Sequence, residues 1–182
     1  MSGRALASGR VDHRARSRGA LAIGNKAIYP GQGPCRVGEL VMRVVNDTVM
    51  MFYHLTVLDD YRGDLFVPVE KARAIGVRLL MKRSEVPALL DHLKKRVKTS
   101  DNWKQRAADN WKRFNSGSPY DLAEVVASLT ELSRTKSLTF EESGALDKAK
   151  RLLVCEISEV TRDSRADVEE QVASALKSPR KK

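Results

Sequence analysis

The stretch that decides the fold is AIGNKAIYPGQGPCRVGEL, residues 22–40. A short β-strand is predicted around residues 26–29, and four turn-forming residues follow it closely: Pro30, Gly31, Gly33 and Pro34. The Gly-Gln-Gly piece lacks the third glycine and the following helix that a dinucleotide-binding loop requires. The stretch therefore predicts the start of a β-structure and not a nucleotide site.

Two long apolar runs follow this turn and predict a β-hairpin. The first, CRVGELVMRVV, covers residues 35–45, and the second, TVMMFYHLTVL, covers residues 48–58. Asn46 and Asp47 stand between them, at or near the predicted hairpin turn. A final strand is predicted in DLFVPVEKA, residues 64–72. Four or five short antiparallel strands within about fifty residues predict a small barrel or a strongly bent sheet.

After Gly76 the pattern changes from strands to amphipathic helices. Caps and apolar spacing predict five of them, which begin near Ser84, near Ser100 or Asp101, at Ser118 with Pro119, at Thr139 with Glu142, and near Ser164. The fold class is therefore α+β. We expect a disordered basic tail, an antiparallel β module, an all-α bundle of about five helices and a short basic tail, at residues 1–20, 21–75, 76–178 and 179–182.

The charge distribution favours an acidic partner. The 182-residue chain has a net charge of +10, and residues 82–113 carry ten Lys/Arg against four Asp/Glu. Residues 137–177 carry six basic against nine acidic residues, so the positive charge is concentrated ahead of them and in both tails. A basic patch of this kind most often binds nucleic acid.

Catalytic and metal-binding patterns are missing from the sequence. The histidines, His13, His54 and His92, have no metal-ligand spacing, and Cys35 and Cys155 are too far apart to form a CxxC pair. No nucleophilic triad is recognisable, so we expect neither an enzyme nor a cofactor. No apolar run is long enough to span a bilayer, which predicts a soluble, cytoplasmic protein without membrane contact.

Both tryptophans of the chain lie in SDNWKQRAADNWKRFNSG, residues 100–117. Trp103 and Trp111 are eight residues apart, so on a helix their rings lie about 80° apart around the axis. Tryptophan is usually buried to a large extent, which makes a core position the simpler interpretation for either ring. The basic residues beside them are candidates to neutralise phosphates: Lys104, Arg106, Lys112 and Arg113.

Several motifs together resemble one known family. These are AIGNKAIYPGQGPCRVGEL, then FVPVEKARAIGVR at 66–78, then Asn-Trp at the start of a basic helix, then SGSPYDLAEVV at 116–126. In this order and spacing they resemble the CarD/CdnL family of bacterial transcription regulators, and the resemblance runs from about residue 21 to about residue 177.

The resemblance implies a bridging function. Family members have a Tudor-like β module that binds the β subunit of RNA polymerase, and a helical domain that contacts promoter DNA just upstream of the −10 element. Together they stabilise the open promoter complex, mainly with the housekeeping sigma-factor holoenzyme. By position, the polymerase-contacting residues correspond to Arg43, Phe66 and Pro68. Trp103 corresponds to the family's minor-groove wedge, and Trp111 to an aliphatic core position. The resemblance therefore implies that Trp103 is exposed and that Trp111 is buried in the core.

One departure from the family leaves an alternative open. Family members often carry paired arginines and an aromatic residue after the tryptophan and its neighbour, where this chain has Gln105, Arg106 and Ala107. A divergent paralogue would keep the polymerase contact but serve another partner, or bind DNA nonspecifically as an architectural protein. In either case we expect a monomer, associated with the nucleoid.

Overall fold

The computed structural model describes four stretches of the chain, residues 21–59, 63–95, 97 and 100–177. The basic tails predicted at residues 1–20 and 179–182 lie outside the described residues. Within these stretches an antiparallel sheet comes first and a helical bundle second, which confirms the predicted α+β class. No helix in them is long and apolar enough to cross a membrane.

Five strands form one antiparallel sheet in the order β4-β3-β2-β1-β5: β1 (Lys26–Tyr29), β2 (Gly33–Val45), β3 (Thr48–Val57), β4 (Asp64–Pro68) and β5 (Arg78–Leu79). β1 coincides with the short strand predicted before the turn. β5 lies after residue 75, where we placed the end of the β module, and pairs Leu79 with Ala27 of β1. In the described part of the chain the sheet is open, with β4 and β5 at its edges.

The β2–β3 hairpin turns at the predicted position. Asn46 and Asp47 have φ angles of 48° and 58°, both positive, as a two-residue type I′ connection requires. Val45 pairs directly with Thr48 on either side of them. Asn and Asp are the residues that adopt this left-handed conformation most readily after glycine, so the prediction of the turn is confirmed with its physical reason.

The fourth strand is shorter than predicted. β4 ends at Pro68, because proline has no N–H with which to continue a ladder. The residues after it form a 3₁₀ turn, Val69–Lys71, and the one-turn helix α1, Ala72–Ile75. Gly76 closes this turn in the left-handed conformation, with a φ of 94°. The predicted strand through residue 72 is therefore wrong in its second half.

Five further helices follow, as predicted: α2 (Val86–His92), α3 (Trp103–Asn115), α4 (Pro119–Thr135), α5 (Phe140–Thr161) and α6 (Arg165–Lys177). The Ser118 side chain caps α4, and Thr139 and Glu142 form the predicted capping box of α5. α3 is capped by Asn102, whose side chain accepts the Lys104 N–H at 2.9 Å; the predicted caps were Asp101, one residue earlier, and Ser100, two residues earlier.

Each part of the fold has its own apolar core. The sheet packs Val37, Leu55 and Val67 with Cys35 on one face. The helices bury a larger cluster at their centre, which includes Leu89, Leu93, Val125, Val126, Leu129, Leu153 and Ile157. Both cysteines, Cys35 and Cys155, are free and buried.

Two glycines bring the sheet and the helices into close contact. Gly117 lies between α3 and α4 with a φ of 75°, and a Cβ atom there would lie 2.6 Å from the Gly76 carbonyl oxygen. Only glycine allows the two backbone segments to approach so closely. The contact fixes the end of α3 against the segment that follows α1.

Ion pairs stabilise the same contact between the sheet and the helices, which we term the joint. Arg78 of β5 donates two hydrogen bonds to the Glu156 carboxylate of α5, at 2.7 and 2.8 Å. Glu156 is 1% exposed and also accepts the Met81 N–H at 3.2 Å. Lys26 of β1 pairs with Glu159 of the same helix. A carboxylate is buried at a reasonable free-energy cost only when it is paired in this way, so the joint is a specific interface.

Candidate functional site

The three residues assigned to the polymerase contact lie on one side of the sheet. The Arg43 guanidinium carbon lies 3.7 Å from the centroid of the Phe66 ring, across β3. Pro68 is two residues after Phe66 on the edge strand β4, so both lie on the same face of that strand. The fold therefore brings the three residues together in what we term the Arg43–Phe66 cluster, which comprises Arg43, His54, Phe66 and Pro68.

His54 completes this cluster and was not singled out from the sequence. Its ring stacks on Phe66 with 5.0 Å between centroids and 15° between planes. On its other side His54 Nε2 lies 2.9 Å from the Asp64 carboxylate. The hydrogen bonds of Asp64 with His54 and then Thr56 hold the pKa of this exposed carboxyl below its ordinary value. The Arg43–Phe66 cluster therefore combines the edge strand β4 with a guanidinium that stacks on an aromatic ring.

The opposite face of the β2–β3 hairpin carries an apolar stripe. Beyond the sheet core, the paired side chains remain exposed: Leu40, Met42, Val44, Val49 and Met51. The sequence analysis missed this stripe, because alternation of apolar residues predicts one buried face and does not show where the core ends. In the structure β2 has thirteen residues and β4 has five, so the hairpin extends beyond the part of the sheet that β4 pairs with.

Trp103 is the first residue of α3 and is exposed over 59% of its surface. This confirms the prediction that the ring faces solvent. The Lys104 Nζ atom lies 5.7 Å from the centroid of that ring, within the range of a cation–π contact. The N-terminal end of α3 thus presents an exposed indole ring with a lysine beside it.

Arg106 does not lie on this surface. It is 5% exposed, and its guanidinium donates to Glu142 of α5 at 2.6 and 2.9 Å and to the Ser100 and Asp101 carbonyls at 3.0 and 2.8 Å. The prediction that Arg106 neutralises phosphate is therefore wrong, because its guanidinium is buried and makes four hydrogen bonds inside the fold. Burial raises the pKa of the Glu142 carboxyl, but the Arg106 and Thr139 hydrogen bonds outweigh it and lower that pKa overall.

Trp111 is 71% exposed, so the prediction that it is a core residue is also wrong. Arg106 and Asn110 are the buried residues of α3 and face the core. Because Trp111 follows Asn110, it lies about 100° further around the helix and faces solvent. Of the remaining predicted cations, Lys112 is exposed, and Arg113 is half-buried with its Nε atom 3.1 Å from Glu124.

The described residues contain no group of three or more His, Cys, Asp or Glu side chains that would hold a metal ion. Comparison with known families divides the chain at the joint described above. Residues 21–80 match the CarD-like/TRCF RID domain, and residues 85–173 match the CarD C-terminal domain. The chain belongs to the CarD family.

CarD membership makes the protein a transcription regulator of an RNA polymerase-interacting family. Among solved structures, the chain is similar to the 72-residue N-terminal domain of Myxococcus xanthus CarD, determined in solution. The two are 32% identical over a match that covers 40% of this chain and 93% of that domain, with a TM-score of 0.29. The Arg43–Phe66 cluster lies within the RID match and α3 within the C-terminal match.

Proposed function

We propose that this CarD-family protein binds the RNA polymerase β subunit through its sheet and promoter DNA just upstream of the −10 element through α3. It thereby stabilises the open complex of the housekeeping holoenzyme. The observation that carries the proposal is that each family-defined domain exposes one aromatic ring with a cation against it. These are Phe66 with Arg43 in the sheet and Trp103 with Lys104 in the helices.

The sheet supplies the features of a protein-binding edge. β4 is an edge strand, and a partner strand added there gains main-chain hydrogen bonds, while side chains beside it give specificity. Phe66 and Pro68 lie on that edge strand, and the Arg43 guanidinium reaches the Phe66 ring across β3. Arginine and aromatic residues are also the types that contribute most at protein interfaces.

The start of α3 supplies the features of a DNA wedge. An apolar ring inserted at a base step costs unstacking energy but stabilises a kinked or opened duplex, without base-specific hydrogen bonds. Lys104 and Lys112 are exposed on the same helix, and their charges would neutralise phosphates of the bound DNA. Such a contact is weak and salt-sensitive alone, so its effect depends on polymerase holding the protein at the promoter.

The test is the lifetime of the open complex on a housekeeping promoter with the cognate holoenzyme. Wild type is expected to lengthen it, and both Arg43→Glu and Trp103→Ala are expected to remove the effect. Phe140→Ala, which removes an aromatic side chain that is 91% exposed elsewhere, is the matched control for the tryptophan. Arg73→Glu, at an exposed arginine in α1, is the control for the charge reversal. Normal function of Trp103→Ala would refute the wedge.

A second candidate function follows from the burial of Arg106. Because Arg106 is buried, the exposed residues of α3 include two lysines and no arginine. A paralogue that binds DNA nonspecifically, or serves another partner, is consistent with so small a basic surface. Deleting residues 1–20 separates the two functions. Loss of DNA affinity with the tail would favour the nonspecific binder, and retention would favour α3.

A further inference from the structure

Trp111 has no place in the wedge described above, yet it is the more exposed of the two tryptophans. Single exposed apolar residues are common on protein surfaces. Two indole rings on the exposed side of one helix are not, because each leaves a large apolar area in contact with water. The exposure of Trp111 therefore suggests that its ring contacts a binding partner.

Polar contacts fix the rotation of α3 and so fix which side is exposed. On the inner side Arg106 is paired with Glu142, and Arg113 donates to Glu124 at 3.1 Å. Asn110, one position before Trp111, is buried. Turning Trp111 inward would rotate these groups out and break the buried ion pair. The exposure of the ring is thus a property of the packed helix.

The exposed side of α3 is basic and aromatic. Its exposed residues are Trp103, Lys104, Gln105, Ala107, Ala108, Trp111, Lys112 and Asn115. None of them is acidic. The one acidic residue of the helix, Asp109, is half-buried and accepts a hydrogen bond from Gln105 at 2.9 Å. Interleaved lysines and aromatic rings match the surface that proteins use for nucleic acid strands.

The spacing of the rings determines which part of a nucleic acid each can reach. Eight residues of α-helix separate Trp103 from Trp111 by about 12 Å along the axis. Successive stacked bases of a strand are about 3.4 Å apart, so this axial distance corresponds to about three to four base steps. The side chains between them on this face, Ala107 and Ala108, are small and leave room for a strand to approach the helix.

We propose that Trp111 stacks on an unpaired base, so that α3 binds the junction between duplex and single-stranded DNA. This inference rests on the proposed function, in which Trp103 acts as a wedge in the opened promoter just upstream of the −10 element. Trp103 would then mark the last base pair, and Trp111 an extruded base about three to four nucleotides from it. Lys104 and Lys112 lie beside the two rings to contact the intervening phosphates.

An unpaired strand is favoured over a continuous duplex by the geometry of stacking. In a duplex both faces of every base are covered by neighbours, so a second ring inserted three to four steps away costs a second unstacking. A base that is already unpaired offers its face without that cost, and stacking on it tolerates any sequence. The lysines add affinity to both forms, whereas Trp111 adds it only where a base face is free.

The first test measures binding of the full-length protein to a forked DNA and to a duplex of the same sequence at low salt. Trp111→Ala is expected to weaken binding to the fork by roughly 5- to 150-fold, the range typical of losing one base-stacking ring, with little change for the duplex. Trp111→Phe is expected to restore most of the affinity, because it keeps an aromatic face. Phe140→Ala is expected to bind both DNAs as wild type does.

The second test uses the fact that the chain has two tryptophans. Trp103→Phe leaves Trp111 as the sole indole, and Trp111→Phe leaves Trp103. We expect the Trp111 emission to be quenched by the fork and not by the duplex. If only Trp103 responds to DNA, the role of Trp111 is refuted while the proposed function stands. If neither ring responds and wild type does not bind, the DNA contact of the proposed function fails.

Two further outcomes would overturn the inference. Equal weakening of fork and duplex by Trp111→Ala would show that the ring contacts the backbone and not an unpaired base. Weaker binding of Trp111→Ala to the holoenzyme without DNA would show that the ring contacts protein. Because Trp111 is 71% exposed, the variant is expected to fold normally, and its circular dichroism and unfolding midpoint check this.

Discussion

The joint between sheet and helices gives a quantitative prediction. Arg78→Met removes two hydrogen bonds, of 2.7 and 2.8 Å, from a carboxylate that is 1% exposed. It also removes the hydrogen bond from Arg78 Nε to the Gly117 carbonyl. Methionine keeps the unbranched shape of the side chain but carries no charge. Glu156 would then retain the Met81 N–H, at 3.2 Å, as its described hydrogen-bond donor. The variant therefore leaves a buried negative charge without its counterion.

The expected cost is about 3 kcal/mol. Removing one partner of a buried ion pair typically costs about 3–5 kcal/mol, because the remaining charge is uncompensated. The lower end applies here, since the Arg78 side chain is 27% exposed and water can reach the site that the guanidinium leaves. For a chain of this size, such a loss lowers the midpoint of thermal unfolding by about 6–12 °C.

The assay is urea and thermal unfolding, with two reference variants. Lys94→Met breaks an exposed pair with Asp91 on α2 and is expected to cost less than about 1 kcal/mol. Replacing both Arg78 and Glu156 with apolar residues, as Arg78→Met with Glu156→Leu, removes the stranded charge and is expected to recover about half of the loss or more. If Arg78→Met costs no more than Lys94→Met, the joint does not depend on this ion pair and the reasoning is refuted.

Three other variants test the site and its support. Gly117→Ala is expected to destabilise the fold by several kcal/mol, about 3 or more, because a Cβ would lie 2.6 Å from the Gly76 carbonyl at a φ of 75°; wild-type stability by urea unfolding would contradict this. Arg106→Met is expected to cost about 3–5 kcal/mol by stranding the carboxylate it pairs with, and unchanged unfolding would show that this ion pair is dispensable. The lowered pKa of Asp64 means that it contributes stability above the ordinary carboxyl pKa, and that the contribution is lost as pH falls through the lowered value. His54→Gln is expected to return the NMR titration of this carboxyl toward the ordinary range, and an unchanged midpoint would contradict the assignment of its cause.

Local signals in the sequence determined most of the secondary structure. The Asn46–Asp47 turn, the Ser118 cap and the Thr139–Glu142 capping box each depend on residues a few positions apart, and all three formed as predicted. The end of β4 was missed although its cause is also local, because the predicted strand was continued past Pro68 to residue 72.

The two tryptophans show where local reasoning ends. Spacing showed that Trp103 and Trp111 point in different directions, and the exposure of Trp103 was predicted correctly. The exposure of Trp111 was not predicted, because it depends on Arg106, whose partner Glu142 lies 36 residues away in another helix. The orientation of α3 is fixed by the buried Arg106, which pairs with Glu142. No pattern within the sequence of α3 indicates that pair.

The arrangement of the two domains was likewise decided by tertiary structure. The sequence by itself determined that a β module precedes a helical bundle, that the region of the tryptophans is basic, and that its motifs resemble one family. Only the folded chain placed Arg78 against Glu156 and Gly117 against Gly76. Contacts between residues far apart in the sequence depend on packing and on charge neutralisation in the folded chain. Neither of these produces a periodic pattern in the sequence.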